Sequence, residues 1–341
     1  MRDFFIFNPM RNALYKIGVI AVLTVSTACN LTQNATLEKT IISERDIKAP
    51  NPVILEASVK KNLEYLSSNK LRGRETGTEG IEEAAVFIEI VFEENNVKPY
   101  YKTYRDSFEI GNNTGYNLIG FLEGSDPVLK NEFIILGAHY DHIGVGKEIN
   151  GDSMANGAND NASGTVGVLE LAKHFSKIKD NKRSLLFVLF SAEEMGLLGS
   201  KHIAEKLNSE GLNLYAMVNF EMIGVPMQDE NYLAYVTGFE GSNLAEKFNE
   251  YSNSKILGFL PRANEYKLFE RSDNYPFFQK FNVPAQTIST FDFTNYDYYH
   301  HVSDGAEKMD FSYIAHLIQS VVPGLYKMAN TSEKEIKLNQ L

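Results

Sequence analysis

One cysteine, Cys29, occurs in 341 residues, so no disulfide can close within the chain. Basic clusters are equally scarce: no run of Lys and Arg exceeds two residues, and the formal net charge is -11. Phosphate binding needs a concentrated positive face, which excludes nucleic acid as a partner. An acidic surface instead suits metal cations and neutral or basic ligands. The apolar run Ile17 to Val25 is too short to span a bilayer as a permanent helix. Four common catalytic signatures are missing: HExxH, the GxSxG elbow, the Walker A loop and a CxxC pair. There are no internal repeats and no low-complexity tract. What remains is an ordinary globular composition, 43% hydrophobic and 23% charged, long enough for one large core with a leader and short tails.

The leader is read from residues 10 to 28, MRNALYKIGVIAVLTVSTA, where Arg11 and Lys16 precede the apolar run and small residues close it at Ala28. That is the three-part layout of a secretory signal. Cys29 directly after Ser-Thr-Ala resembles a bacterial lipoprotein cleavage site, although Ser26 stands where an aliphatic residue is usual. The alternatives are a plain secretory cut or an uncleaved anchor. The expected organisation is a signal peptide over 1–28, a polar tether over 29–52 ending at Pro50 and Pro52, one domain over 53–330, and a tail over 331–341. The mature protein would be exported. It would be a periplasmic or outer-membrane-anchored lipoprotein through Cys29, or otherwise secreted, touching membrane only through that lipid or leader.

Within the domain the spacing of apolar residues predicts helices over 55–66 and 79–95. Strands are expected in Tyr100 to Phe108, YNLIGFLEG and EFIILG. Beyond them a regular alternation sets in: helix 161–178, strand Ser184 to Phe190, helix 196–207, strand Leu214 to Phe220, strand Tyr232 to Thr237, helix Ser242 to Ser252, strand Val283 to Ser289, and a helix from about Phe311 to Met328. Continuous apolar strands alternating with helices imply an α/β fold whose mostly parallel sheet is covered on both faces.

Chemistry gathers where those strands end. His139 follows EFIILGA, Glu193 and Glu194 follow SLLFVLFSA, Glu221 ends AMVNF, and His300 lies beyond PAQTIST, while Asp160 sits in GANDNASG. Open α/β sheets place their ligands in the crevice beyond the carboxyl ends of the strands. Taken one at a time these residues are bland: a histidine opening a loop is usually structural, and an acidic pair commonly starts a helix. Together, His139, Asp160, Glu194, Glu221 and His300 supply the two imidazoles and three carboxylates of a paired-zinc hydrolytic site, one carboxylate bridging two ions. Asp141, two residues past His139, is placed to fix that imidazole's tautomer. Glu193, adjacent to a ligand, has the chemistry of a general base.

These motifs, in this order over roughly residues 55–330, resemble the zinc-dependent aminopeptidases of the M28 family, with no insert between them. The resemblance implies a three-layer α/β/α sandwich around a mixed, mostly parallel sheet of about eight strands. It also implies two Zn2+ ions, one held by His139 and Glu221, the other by Glu194 and His300, with Asp160 bridging and a cis peptide following Asp160. The family spacing of His to Asp selects His300, four before Asp304, over His301. Glu221 departs from the family's usual Asp, so the second ion could shift or bind less tightly there. By the same resemblance Tyr299 would donate to the oxyanion and Arg271 would contact substrate, a peptide with a free N-terminus. The runner-up enzyme is a glutaminyl cyclase with one zinc on the same fold; a non-catalytic binding protein is the non-enzyme alternative.

Overall fold

The structure, a computed structural model, describes residues 53–228 and 230–340. The expected signal peptide, the tether and Cys29 lie outside the described residues. Two helices open the domain, α1 (Glu56–Leu66) and α2 (Glu79–Glu94), separated by a 3-10 turn over Asn69–Arg74. Each forms because its apolar residues recur every three or four positions. In α1, Val59, Leu63 and Leu66 face inward; in α2, Ile81, Ala85, Ile88 and Phe92 do so.

The sheet has nine strands among the described residues: β1 (Lys98–Pro99), β2 (Arg105–Ile110), β3 (Asn113–Leu122), β4 (Phe133–His139), β7 (Ser184–Phe190), β8 (Leu214–Glu221), β9 (Ala234–Val236), β10 (Leu257–Gly258) and β11 (Ala285–Ser289). Their order is β1-β3-β7-β4-β8-β11-β9-β10, with β2 paired to β3. The centre is parallel, β7, β4, β8 and β11 running together. The flanks reverse, β3 running against β7 and β9 against β11. A separate small hairpin joins β5 (Val145–Ile149) to β6 (Asp152–Met154).

Helices cover both faces. On one, α4 (Leu198–Ser209) and α7 (Asn274–Phe281) bring Ile203, Ala204, Leu207 and Phe277 onto Ile135, Leu186, Val188 and Met217 of the sheet. On the other lie α1, α2, α3 (Gly164–Ile178), α5 (Leu244–Ser252) and α8 (Phe311–Asn330). A short α6 (Pro261–Glu265) lies between β10 and α7. This is the expected α/β/α sandwich with a mixed, mostly parallel sheet, one strand richer than expected. No helix among the described residues is long and apolar enough to cross a membrane.

Two local expectations change. The alternation through Tyr100 to Phe108 is a strand only from Arg105 onward. Tyr100 donates its N–H to Ile119 O, extending the β1–β3 pairing, and packs edge-on against Phe121 and Phe133, while residues 101–104 bend away before β2. The helix expected from 161 begins regularly at Gly164, because the turn over residues 158–163 leaves helical geometry at Asp160 (φ -107°, ψ 95°) and Asn161 (φ -129°, ψ 41°). Asn161 closes that turn: its side chain donates to Phe220 O and accepts from the N–H groups of Gly164 and Met222. Past residue 330 the chain is laid onto the domain, with Ile336 buried and its N–H donating to Tyr215 Oη.

Candidate metal centre

The parallel strands β4, β7 and β8 end side by side, and their carboxyl ends carry His139, the Glu193–Glu194 turn and Glu221. His139 is the last residue of β4 and is 1% exposed; its carbonyl accepts from Thr165. Its Nδ1 lies 3.2 Å from Asp141 O and 3.5 Å from Asp141 Oδ1. An N–H at Nδ1 donates to that carbonyl, which leaves Nε2 with a free lone pair. Nε2 stands 3.0 Å from Glu221 Oε1 and 3.4 Å from Asp160 Oδ1. Asp141 therefore orients His139 chiefly through its backbone. Its carboxylate accepts from the Glu193 N–H at 3.2 Å and from Thr76 at 3.3 Å, tying the β4 end to the β7 end.

Asp160 presents its second oxygen to different partners. Oδ2 is 3.2 Å from His300 Nε2 and 3.7 Å from His142 Nδ1, and the same two imidazoles stand 3.0 and 2.9 Å from the two oxygens of Glu194. The donors thus form two sets sharing Asp160: His139, Asp160 and Glu221, and His142, Asp160, Glu194 and His300. Donors held tetrahedrally at zinc bonding distance lie about 3.4 Å from one another, and the separations here, 2.9 to 3.7 Å, bracket that spacing. The residues present fit a pair of zinc ions by donor chemistry and by spacing.

Backbone geometry aims the loop donors. The Asp160–Asn161 peptide is cis, as the resemblance implies. Asp304 accepts from the N–H groups of Asn159 and Asp160 at 2.8 and 3.1 Å, and from Tyr296 Oη at 2.6 Å. It thus holds the Asp160 turn rather than His300. His300 takes a left-handed conformation (φ 53°) that turns its ring inward, and Tyr299 stacks on that ring at 4.0 Å. His301 accepts from Ser303 N–H and lies outside both sets. Glu221 Oε2 accepts from Ser272 at 2.9 Å, which anchors the longer arm of the glutamate.

The local field is strongly acidic. Burial alone would lower the pKa of His139, but Glu221, Glu193, Asp141 and Asp160 outweigh it and raise it well above 6.5. His300 is likewise pushed up to about 10: burial opposes the change, and the Asp160 and Glu194 carboxylates that accept from its ring overcome it. Burial drives Glu193 far above the usual carboxylate range, with Glu221 and Asp273 adding to the effect. Asp273, fully buried beneath the site, rises to about 7 for the same reason. A pocket of carboxylates that pulls protons onto its histidines is a pocket built for cations.

Asp160, Glu193, Glu194 and Glu221 line one pocket together with Met222, Tyr235, Leu268, Phe291, Phe293 and Tyr299, and the exposed Arg271 lines it too. All nine residues singled out in the sequence therefore stand at or beside this centre. The residue that sequence reasoning missed is His142. Its signal was the second histidine of HYDH, which standing alone reads as one more polar loop residue.

The profile of peptidase family M28 matches residues 117–323. Leucine aminopeptidase 2 of Trichophyton equinum is 33% identical over 187 residues, 52% of this chain and 34% of that protein. The chain thus spans about a third of the length of the fungal relatives it matches. Among solved structures, a zinc aminopeptidase from Bacillus subtilis aligns with a TM-score of 0.65 at 15% identity, covering 84% of this chain and 98% of that one. Porphyromonas gingivalis glutaminyl cyclase aligns with a TM-score of 0.62 at 17% identity, covering 80% and 97%. At such identities the structural matches speak for the fold. The sequence profile runs over more than half of the chain and through the strand ends that carry the donors, and on that ground the chain belongs to peptidase family M28.

Proposed function

We propose that the chain is an aminopeptidase that hydrolyses the N-terminal peptide bond of its substrates at a centre for two zinc ions. The observation that carries this reading is Asp160, whose two oxygens face separate sets of imidazoles at 3.4 and 3.2 Å. A carboxylate disposed in that way would hold both ions of a metal pair. Bound zinc would activate a water and polarise the scissile carbonyl.

The chain's own groups supply the rest. Glu193, held through its N–H by Asp141, accepts the proton of the attacking water at its carboxylate and delivers it to the leaving amine. Tyr299, stacked on His300 and lining the pocket, donates its hydroxyl to the developing oxyanion. Glu193 and Glu221 meet the substrate's α-ammonium, and Arg271 contacts its polar groups at the exposed side. The apolar walls exclude water from the reacting bond.

Glu193→Gln tests the assignment: turnover of aminoacyl amides falls by several orders of magnitude while zinc stays bound. Near-full activity in that variant sinks the general-base role. Peptides with N-terminal glutamine distinguish the cyclase reading, because release of free glutamine supports the peptidase whereas pyroglutamate formation replaces it. Export and lipid attachment at Cys29 belong to the same proposal. Mass spectrometry of the mature N-terminus decides them, a diacylated Cys29 supporting and an unmodified or uncleaved leader refuting.

A further inference from the structure

We propose that His142 is a fourth protein ligand of one of the two ions, so that the centre is asymmetric: one position closed by His142, Asp160, Glu194 and His300, the other left open by only His139, Asp160 and Glu221. The inference rests on the two-zinc reading above and extends it. The His142 ring is 1% exposed, and its Nδ1 lies 2.9 Å from Glu194 Oε1 and 3.7 Å from Asp160 Oδ2. It meets the His300 ring edge-on at 5.6 Å, so the two imidazoles converge on the same pair of carboxylates.

The orientation is enforced from behind. Gly157 takes φ +60°, and a Cβ there would lie 2.6 Å from the His142 ring and 2.3 Å from Asp160 O. A side chain at 157 would thus push His142 and the Asp160 turn apart. The His142 N–H also donates to Arg74 O at 3.3 Å, fixing the main chain that carries the ring.

Ligand number separates the two positions chemically. Zinc sites with four protein ligands are closed and structural, whereas catalytic sites keep three and leave a position for water or substrate. Here the three-donor set is the one tied to the general base: Asp141 accepts from the Glu193 N–H at 3.2 Å and, through its carbonyl, from His139 Nδ1 at 3.2 Å. The closed ion therefore binds first and holds Asp160 and Glu194 in place. The open ion takes the exchangeable water, and the longer Glu221 serves the site where exchange is needed.

The test is zinc X-ray absorption on the full chain, stripped of metal and reloaded with one equivalent. Two imidazoles around that first zinc in the wild type, falling to one in His142→Ala, is the expected result. A competing chelator should show the first binding constant weakened by more than about 100-fold in the variant, beyond the loss usual for an outer contact, with the second constant changed only a few-fold. His142→Asn keeps a hydrogen bond to Glu194 but is a poor zinc ligand. Wild-type affinity in that variant makes His142 a positioning residue and overturns the proposal. One imidazole at the first equivalent in the wild type overturns it too, and that measurement needs no variant to fold. A chain that binds two zincs with one imidazole each refutes the asymmetry alone, whereas a chain that binds no zinc refutes the two-zinc reading with it.

Discussion

Arg74 is the residue whose replacement most directly tests how the centre is held. Its side chain is 1% exposed, yet among the described residues it faces no carboxylate at ion-pair distance. Instead its guanidinium donates to four main-chain carbonyls: Tyr140 at 2.9 Å, Leu66 at 2.5 Å, Asn156 at 2.6 Å and Gly157 at 3.0 Å. Those carbonyls belong to the end of α1, the loop carrying Asp141 and His142, and the loop that leads to Asp160. Hydrogen bonds to a charged group contribute about 1.5 kcal/mol each at the low end, or about 6 kcal/mol for four. Against this, burial holds the guanidinium down at about 10 from 12.5, a cost of roughly 3 kcal/mol at 1.36 per pKa unit.

The balance gives Arg74→Met a net loss of about 3 kcal/mol, which lowers the melting temperature by roughly 6–12 °C for a domain of this size. The assay is urea unfolding of the zinc-free chain, followed by zinc titration of the same variant. Zinc affinity falls as well, because the Tyr140 and Gly157 carbonyls lie one residue from His139 and three from Asp160. A stability change below about 1 kcal/mol together with wild-type zinc affinity would falsify the account, since four buried carbonyls would then have lost their donor at no cost.

Other outcomes are equally specific. His300→Ala loses zinc from the set shared with Glu194, whereas His301→Ala retains both ions by elemental analysis; the reverse result overturns the choice between them. Zinc must displace the proton that His300 holds with a pKa of about 10 in the metal-free chain. Apparent affinity therefore rises with pH up to about 10, and calorimetry in buffers of different ionisation enthalpy reads proton release at pH 7. Asp273 has its pKa raised from 3.8 to about 7, so its ionisation weakens the metal-free fold progressively over that interval. Asp273→Asn matches the wild type below about pH 4 and exceeds it above pH 7 by up to about 4 kcal/mol, and equal stabilities at pH 8 refute the burial argument. Arg271→Ala raises KM for peptides while kcat changes little; a loss confined to kcat removes Arg271 from the binding role.

The elements legible in the sequence are those whose burial is complete. Ser184–Phe190 and Leu214–Glu221 are apolar almost throughout, because a central parallel strand is covered on both faces, and their ends agree with expectation to within one residue. The β5–β6 hairpin and α7 escaped for the opposite reason. The hairpin is exposed or half-buried and carries no apolar alternation, and α7 holds Pro276 in its first turn, where proline reads as loop but is tolerated in a helix.

The donors divide along the same line. His139, Glu194 and Glu221 follow strands whose ends the apolar pattern marks, so their convergence is readable before any coordinates. His142 is three residues beyond the β4 end, and in a continuing strand residues 139 and 142 would point to opposite faces. They reach one centre because the chain leaves the strand at Tyr140, held there by Arg74, a residue 66 positions earlier in sequence. Asp160 is likewise set by Asp304, 144 positions later. Strand-end donors are thus placed by the core, and loop donors by single buried polar residues that hydrogen-bond to main chain. Substitutions in the sheet core should therefore cost stability first, and substitutions at Arg74 or Asp304 should cost zinc as well. A core variant such as Val188→Ala that loses several kcal/mol yet keeps wild-type zinc affinity would bear out this separation; a parallel loss of zinc would show that the two supports are one.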